Sequence, residues 1–245
     1  MKPKDRLDKV LVDRGLVKSR ERARALIMEG KVFVAGGRVS KAGTMVGTDA
    51  DISLLDQDIP YVSRGGLKLD AALAFFGIDP AGMVVMDVGC STGGFTDCVL
   101  KKNARKVYAI DVGYGQFDWS LRGDPRVVLL EKTNIRYLEQ EIVPERIDLA
   151  VIDVSFISLL KVLPRVFDFL SPKGRVLALV KPQFEVGRGL VGKGGIVRDE
   201  SARLDAVERV REGIAEMGYA AQGIFESPVR GQKGNIEYFI VVGRR

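Results

Sequence analysis

Met83-Val84-Val85-Met86-Asp87-Val88-Gly89-Cys90-Ser91-Thr92-Gly93-Gly94-Phe95 is the stretch on which the fold turns. An apolar run ends in an acid, a loop of small residues follows, and Phe95-Thr96-Asp97-Cys98-Val99-Leu100 opens a helix. Strand, tight glycine loop and helix form the first crossover of a nucleotide-binding α/β sheet, in which glycines let backbone N–H groups approach a ligand. The spacing Gly89, Gly93, Gly94 is not the G-x-G-x-x-G of dinucleotide enzymes, and no Lys-Ser/Thr follows to grip a phosphate. Such a loop after an acidic strand end suits a ligand with an amino-acid tail and a nucleoside but no phosphate, and S-adenosylmethionine is one. An ordinary glycine-rich βα turn would look the same.

Downstream, strands and helices alternate. Apolar runs predict strands at 84–88, 106–111, 127–131, 147–153 and 175–180 and helices at 158–170 and 199–217, with two last strands at 221–226 and 236–242. This pattern reads as a doubly wound, Rossmann-like sheet of seven strands, one of them antiparallel. A helix carrying Leu69, Leu73 and Phe76, closed by Gly77, precedes the first core strand.

The first 58 residues read differently. Leu7, Val10, Leu11 and Val12 mark a short helix stopped by Gly15, and Ser19 caps a second that ends at Glu29-Gly30. Strands are predicted at 31–34 and 51–55, with a turn over 35–38 and a return at Val39. The expected organisation is a small α+β domain over 1–58, a linker over 59–64 (the polar run 56–60 ends in Pro) and the α/β domain over 65–245. Residues 1–48 hold twelve Lys/Arg against five Asp/Glu, whereas the remainder holds twenty-six against twenty-seven, so the net charge of +6 belongs to the small domain. A basic module joined to a near-neutral body suits a polyanionic partner, although a solvated face carries charge as well.

Composition excludes other chemistry. There is no histidine, which removes imidazole catalysis and the usual zinc sites. Cys90 and Cys98 fit two buried thiols in a reducing cytoplasm. The N-terminus leads into no apolar segment of a signal peptide, and no run approaches the ~20 residues of a membrane span.

Ligands of such sheets sit beyond the carboxyl ends of the strands. Those ends carry Asp87 and Gly89, then Asp111, placed to accept both ribose hydroxyls of a nucleoside, then Lys132-Thr133-Asn134, whose amide could read an adenine edge, then Asp153, then Lys181. Phe117 and Trp119 read as packing residues, one of them a candidate neighbour of the adenine. The loop 186–196 holds five glycines with Arg188 and Lys193 and could close over a substrate or be a flexible surface loop.

Two resemblances sharpen these expectations. Arg6-Leu7-Asp8, Ser19-Arg20-Glu21-Arg22-Ala23, Ile27-Met28-Glu29-Gly30 and Val32-Phe33-Val34-Ala35-Gly36 resemble the RNA-binding domain shared by ribosomal protein S-four, some pseudouridine synthases and tyrosyl-tRNA synthetases. That resemblance implies that Arg6, Arg20 and Arg24 meet phosphates of structured RNA, with Lys41 nearby. Nearly the whole chain resembles the TlyA family, rRNA 2′-O-methyltransferases with an FtsJ-type catalytic domain. The match runs through Ser63-Arg64-Gly65-Gly66-Leu67-Lys68-Leu69, the glycine loop from Asp87 to Asp97, Asp111-Val112-Gly113-Tyr114-Gly115-Gln116, Asp153-Val154-Ser155-Phe156-Ile157-Ser158-Leu159, Lys181-Pro182-Gln183-Phe184-Glu185, Gly192-Lys193-Gly194-Gly195-Ile196-Val197-Arg198-Asp199 and Lys233-Gly234-Asn235-Ile236-Glu237.

The TlyA resemblance implies a Lys-Asp-Lys-Glu tetrad at Lys68, Asp153, Lys181 and Glu237. It also implies an S-adenosylmethionine site at Asp87, Gly89, Ser91, Thr92, Gly93, Gly94, Phe95, Asp111 and Asn134. The implied activity is 2′-O-methylation of a cytidine ribose in ribosomal RNA or ribosomal subunits, in the cytoplasm, with no membrane and no obligate protein partner. In that chemistry Lys181 is either a neutral base, favoured by the cation Lys68, or a charged group stabilising the alkoxide, favoured by Asp153 and Glu237. A base amino-methyltransferase would carry Asn/Asp-Pro-Pro-aromatic after strand four, where this chain has Asp153-Val154-Ser155-Phe156. Competing readings are a non-catalytic RNA-binding assembly factor and a membrane-lytic haemolysin.

Overall fold

A computed structural model describes residues 3–17, 19–35, 37–54, 59–231 and 234–245. Gly36, Leu55, residues 56–58 of the polar run and Lys233 of the last matching run lie outside them. The chain divides into two compact units, Met1–Pro60 and Tyr61–Arg245.

In the first unit, β1 (Lys4–Arg6) leads into α1 (Leu7–Asp13) and α2 (Arg20–Met28). These are followed by β2 (Val32–Val34), β3 (Gly37–Val39), β4 (Met45–Gly47) and β5 (Ile52–Leu54). Ser19 caps α2 as expected, its hydroxyl accepting from the Arg22 N–H. β2 is flanked by β3 and β5, and β1 pairs with β4. The helices bury Leu7, Val10, Leu11, Ala23, Leu26 and Ile27 against Val32 and Val46. The pair β1–β4 is absent from the sequence reading because two three-residue strands carry no alternation to detect.

The second unit runs α3 (Arg64–Phe75), β6 (Val84–Val88), α4 (Gly94–Lys101), β7 (Lys106–Ile110), α5 (Trp119–Arg122), β8 (Val127–Leu130) and β9 (Ile147–Ile152). It continues with α6 (Leu163–Phe169), β10 (Leu170–Val180), α7 (Pro182–Glu185), α8 (Glu200–Glu216), β11 (Tyr219–Glu226) and β12 (Tyr238–Arg244). The sheet order is β11-β12-β10-β9-β6-β7-β8, and β12 alone runs against its neighbours β10 and β11. The strand order reverses at β6, next to β9, which is where such sheets open a crevice for ligands.

Side chains alternate between two cores. Val84, Met86 and Val88 of β6 face α6 and α8 together with Ala150, Ile152, Val207, Val210 and Ile214. Val85 faces α3 and α4 with Leu69, Leu73, Cys98, Val99, Leu149 and Phe239. Both cysteines are buried and free.

Three expectations change. Tyr61–Arg64, placed in the linker 59–64, fall in the second unit, where the Val62 N–H donates to the Asp97 carboxylate (2.9 Å). The helix expected over 158–170 is a 3₁₀ turn, Leu159–Lys161, followed by α6, because Pro164 restarts the helix at its first turn. β10 starts at Leu170 rather than at 175, bridging an irregularity in its pairing with β9 between Leu170 and Arg175.

Candidate active site

Register brings the chemistry to one end of the sheet. Ala178 of β10 pairs with Ile152 of β9, and Val180 pairs with Tyr238 of β12. Asp153 follows β9, Lys181 follows β10 and Glu237 precedes the antiparallel β12, so the three meet on neighbouring strands at the carboxyl edge. Lys68, in the second turn of α3, reaches the same edge.

The four form two ion pairs. Lys181 Nζ lies 2.5 Å from Asp153 Oδ1 and donates to Ser155 Oγ at 2.9 Å. Lys68 Nζ donates to Glu237 Oε2 at 2.7 Å, and both residues are buried. Gln183, two residues beyond Lys181, donates to the other Glu237 oxygen at 3.1 Å. Gln183 and Ser155 lie inside the runs quoted above, but nothing in their spacing shows that they touch the tetrad.

Beside them, Phe156 has φ +64° and is 90 % exposed, its ring 5.0 Å from that of Phe184. A bulky residue in the left-handed region is strained, and such strain gathers at functional sites.

The glycine loop is built for close approach. Gly89 has φ +85°, and a Cβ there would lie 2.5 Å from the Asp153 carbonyl oxygen; at Gly93 (φ +91°) it would strike Leu121 and Phe117. Asp87 is fully buried. Its Oδ2 accepts from Thr96 Oγ1 (2.6 Å), while Oδ1 has no partner among the described residues. Burial, with the charges of Asp153 and Asp111 adding to it, raises the Asp87 carboxyl to about 7 against the opposing Thr96 bond. A buried carboxylate with a vacant lone pair fits a cationic amine.

Asp111 ties the loop to the end of β7. Its oxygens accept from the N–H groups of Ser91 (2.8 Å) and Gly113 (2.7 Å), leaving lone pairs for a diol. Asn134 Oδ1 accepts from the Arg136 N–H, which turns its amide nitrogen the other way. Thr92 is exposed, and its carbonyl accepts from Asp118 N–H. These residues fit a nucleoside that carries an amino-acid tail.

Two of the expected cofactor residues also serve packing. The Phe95 side chain is buried with Phe239 (ring centroids 6.1 Å apart), and a Cβ on Gly94 would meet Ser63 Oγ, so Gly94 lets α4 close on α3. Conversely, Phe117 packs in the core as expected, but Trp119 is 85 % exposed with the Arg122 guanidinium over its ring, because it starts α5 on the solvent side.

The glycine-rich loop is fastened at its far end. Asn235 is buried, accepts from Val197 N–H (3.0 Å) and donates to the Gly195 carbonyl (2.8 Å). In the first unit, Arg6, Arg20 and Arg24 share one partner, Asp8, at 3.0–3.2 Å, and each stays about half exposed. Lys41 is outside that cluster, in the turn whose Ala42 carbonyl accepts the Asp8 N–H.

Residues 61–244 match the family described as FtsJ-like methyltransferase, and residues 5–52 match the S4 domain. The chain belongs to the FtsJ-like methyltransferases. It is 47 % identical over 236 residues, 96 % of this chain and 88 % of the relative, to the 16S/23S rRNA (cytidine-2′-O)-methyltransferase TlyA of Mycobacterium tuberculosis. It is 43 % identical over 235 residues (95 % and 97 %) to Hemolysin A of Brachyspira hyodysenteriae. Among solved structures, a candidate hemolysin from Streptococcus thermophilus superposes with a TM-score of 0.78 at 41 % identity, covering all of this chain and 90 % of the other. This FtsJ-like methyltransferase thus carries an S4 domain ahead of its methyltransferase unit. Among the described residues no helix is long and apolar enough to cross a membrane.

Proposed function

We propose that this methyltransferase transfers the methyl group of S-adenosylmethionine to the 2′-hydroxyl of a cytidine in ribosomal RNA, in the cytoplasm. The observation that carries the reading is the pairing of Lys181 with Asp153 beside the buried Lys68–Glu237 pair, at the edge where the glycine loop ends. When bound, S-adenosylmethionine supplies an electrophilic methyl on a sulfonium. Asp87 and the loop Gly89–Ser91–Thr92–Gly93 would hold its amino-acid end, Asp111 its ribose and Asn134 its adenine.

A ribose hydroxyl is a weak acid, and its oxygen needs help to attack. Asp153 and Ser155 fix the Lys181 amine by two contacts, so it can meet the hydroxyl in one orientation and stabilise the oxygen as its proton passes to solvent water and the methyl is taken up. An ammonium held against a carboxylate suits that stabilising role better than that of a neutral base. Lys68, Glu237 and Gln183 form a second network that fixes the floor of the site. Phe156 offers an aromatic face on which the target base can stack. The Arg6, Arg20 and Arg24 cluster supplies phosphate contacts that anchor the RNA without reading its sequence.

Lys181→Ala tests the assignment. Transfer to unmodified ribosomal subunits should fall by at least ~10³-fold, the scale of losing a transition-state electrostatic contact, while calorimetric affinity for S-adenosylmethionine stays within about twofold. Retained transfer would remove Lys181 from the mechanism.

A further inference from the structure

The S4-type unit contains a charge of the wrong sign for an RNA-binding face. Asp8 lies in the first turn of α1, and its side chain is wholly removed from solvent. Its backbone N–H is held by the Ala42 carbonyl at 3.1 Å, and the neighbouring Leu7 N–H by that of Thr44 at 2.8 Å, so the carboxylate has a fixed base. Oδ1 accepts from Arg6 Nε (3.0 Å), and Oδ2 accepts from Arg6 Nη2 (3.2 Å), Arg20 Nη2 (3.0 Å) and Arg24 Nε (3.2 Å). The Arg6 bonds, followed by those of Arg20 and Arg24, hold the Asp8 carboxyl far below the usual carboxylate range, against the opposing effect of burial. It is therefore an anion at every pH at which the protein works.

We propose that Asp8 is a positioning residue for RNA: it gathers Arg6, Arg20 and Arg24 into one preformed phosphate cradle. The inference rests on the RNA-binding reading given above. Arg20 and Arg24 are four residues apart on α2, where like charges repel, and Arg6 comes from the cap of α1. Without a shared anion the three guanidiniums would spread into solvent and lose rotamer freedom on meeting a phosphate. With it, Arg6 spends two of its five donors on Asp8, and Arg20 and Arg24 spend one each. Each guanidinium stays about half exposed and keeps further N–H groups for an incoming phosphate.

Charge and position make opposite predictions, which is what makes the role testable. Asp8→Asn raises the net charge of the cluster from +2 to +3. If Asp8 contributes only charge, this variant binds RNA more tightly and with a steeper salt dependence. If Asp8 positions the arginines, it binds more weakly despite the added charge. Asp8→Glu keeps the charge but moves the carboxylate by one methylene, so it too should bind more weakly.

The experiment compares full-length wild type, Asp8→Asn, Asp8→Glu and Arg20→Ala for affinity to unmodified ribosomal subunits over a range of salt, with S-adenosylmethionine affinity measured in parallel. Both Asp8 variants should bind subunits roughly tenfold or more weakly, with S-adenosylmethionine affinity unchanged. In NMR spectra of the wild type, the Arg6 and Arg24 Nε–H signals should exchange slowly with solvent. Both should be lost in Asp8→Asn while the β2 and β5 amides keep their native shifts, which separates loss of position from loss of fold. Equal or tighter binding by either Asp8 variant, with Arg20→Ala weakened, would overturn the role of Asp8 alone. Unchanged binding by Arg20→Ala would overturn the RNA-binding reading on which it stands.

Discussion

Glu237 keeps its charge almost entirely out of water against Lys68, which is itself nearly covered. Removing one member of such a pair strands the other, so Glu237→Ala should lower stability to denaturant by about 3–5 kcal/mol. Glu237→Gln retains an acceptor and should cost less. A loss for Glu237→Ala below about 1 kcal/mol would show that the pair does not hold the floor of the site. Asp87 makes the opposite demand, because its carboxyl is raised to about 7 by burial. The stability it contributes is complete below the unfolded value near 3.9 and disappears as pH rises through about 7, a change of order 4 kcal/mol for a shift of about three units. The melting temperature of the ligand-free protein should therefore fall between about pH 4 and pH 7 and level off above. Asp87→Asn should flatten that fall, and S-adenosylmethionine, whose amine can meet the unpartnered oxygen, should reduce it. An equal fall in Asp87→Asn would assign the pH dependence elsewhere. The identities of the tetrad are legible in the sequence through the family runs, and Asp87 and Asp111 through their strand ends. Which lysine pairs with which acid is not, because that depends on the register of β9, β10 and β12.

At the scale of elements, the loop 186–196 is expected from its glycines to move. Its last turn closes between Gly192 and Ile196 and is fastened by Asn235 to the segment that carries Glu237. Asn235→Ala should release that end. Limited proteolysis should then cut within 186–196 at least several-fold faster, and kcat should fall with the affinity for S-adenosylmethionine retained. Unchanged cleavage would show that backbone contacts suffice to hold the turn. Long elements with clear periodicity, such as β6, α4 and α8, are readable from apolar spacing, and the cap Ser19 marks the start of α2. Three-residue strands such as β1 and β4 are not, because they are set by the partner across from them. The exposed Trp119 shows the same limit: an aromatic after a strand resembles core until the helix it starts is placed.

Across the whole molecule, the charge step near residue 48 and the change from short helices to alternating strands show two units with different tasks. The S4-type unit contributes fixed guanidiniums, and the FtsJ-like unit brings two lysine–acid pairs to the carboxyl edge of its sheet. We propose that the tetrad serves methylation of a ribose oxygen rather than of a base. Methyl transfer from radiolabelled S-adenosylmethionine to separated, unmodified ribosomal subunits, followed by digestion and identification of the labelled nucleoside, tests this most directly. The account predicts that label appears in 2′-O-methylcytidine. Label in a base-methylated nucleoside, or none on either subunit while S-adenosylmethionine binds, would contradict it.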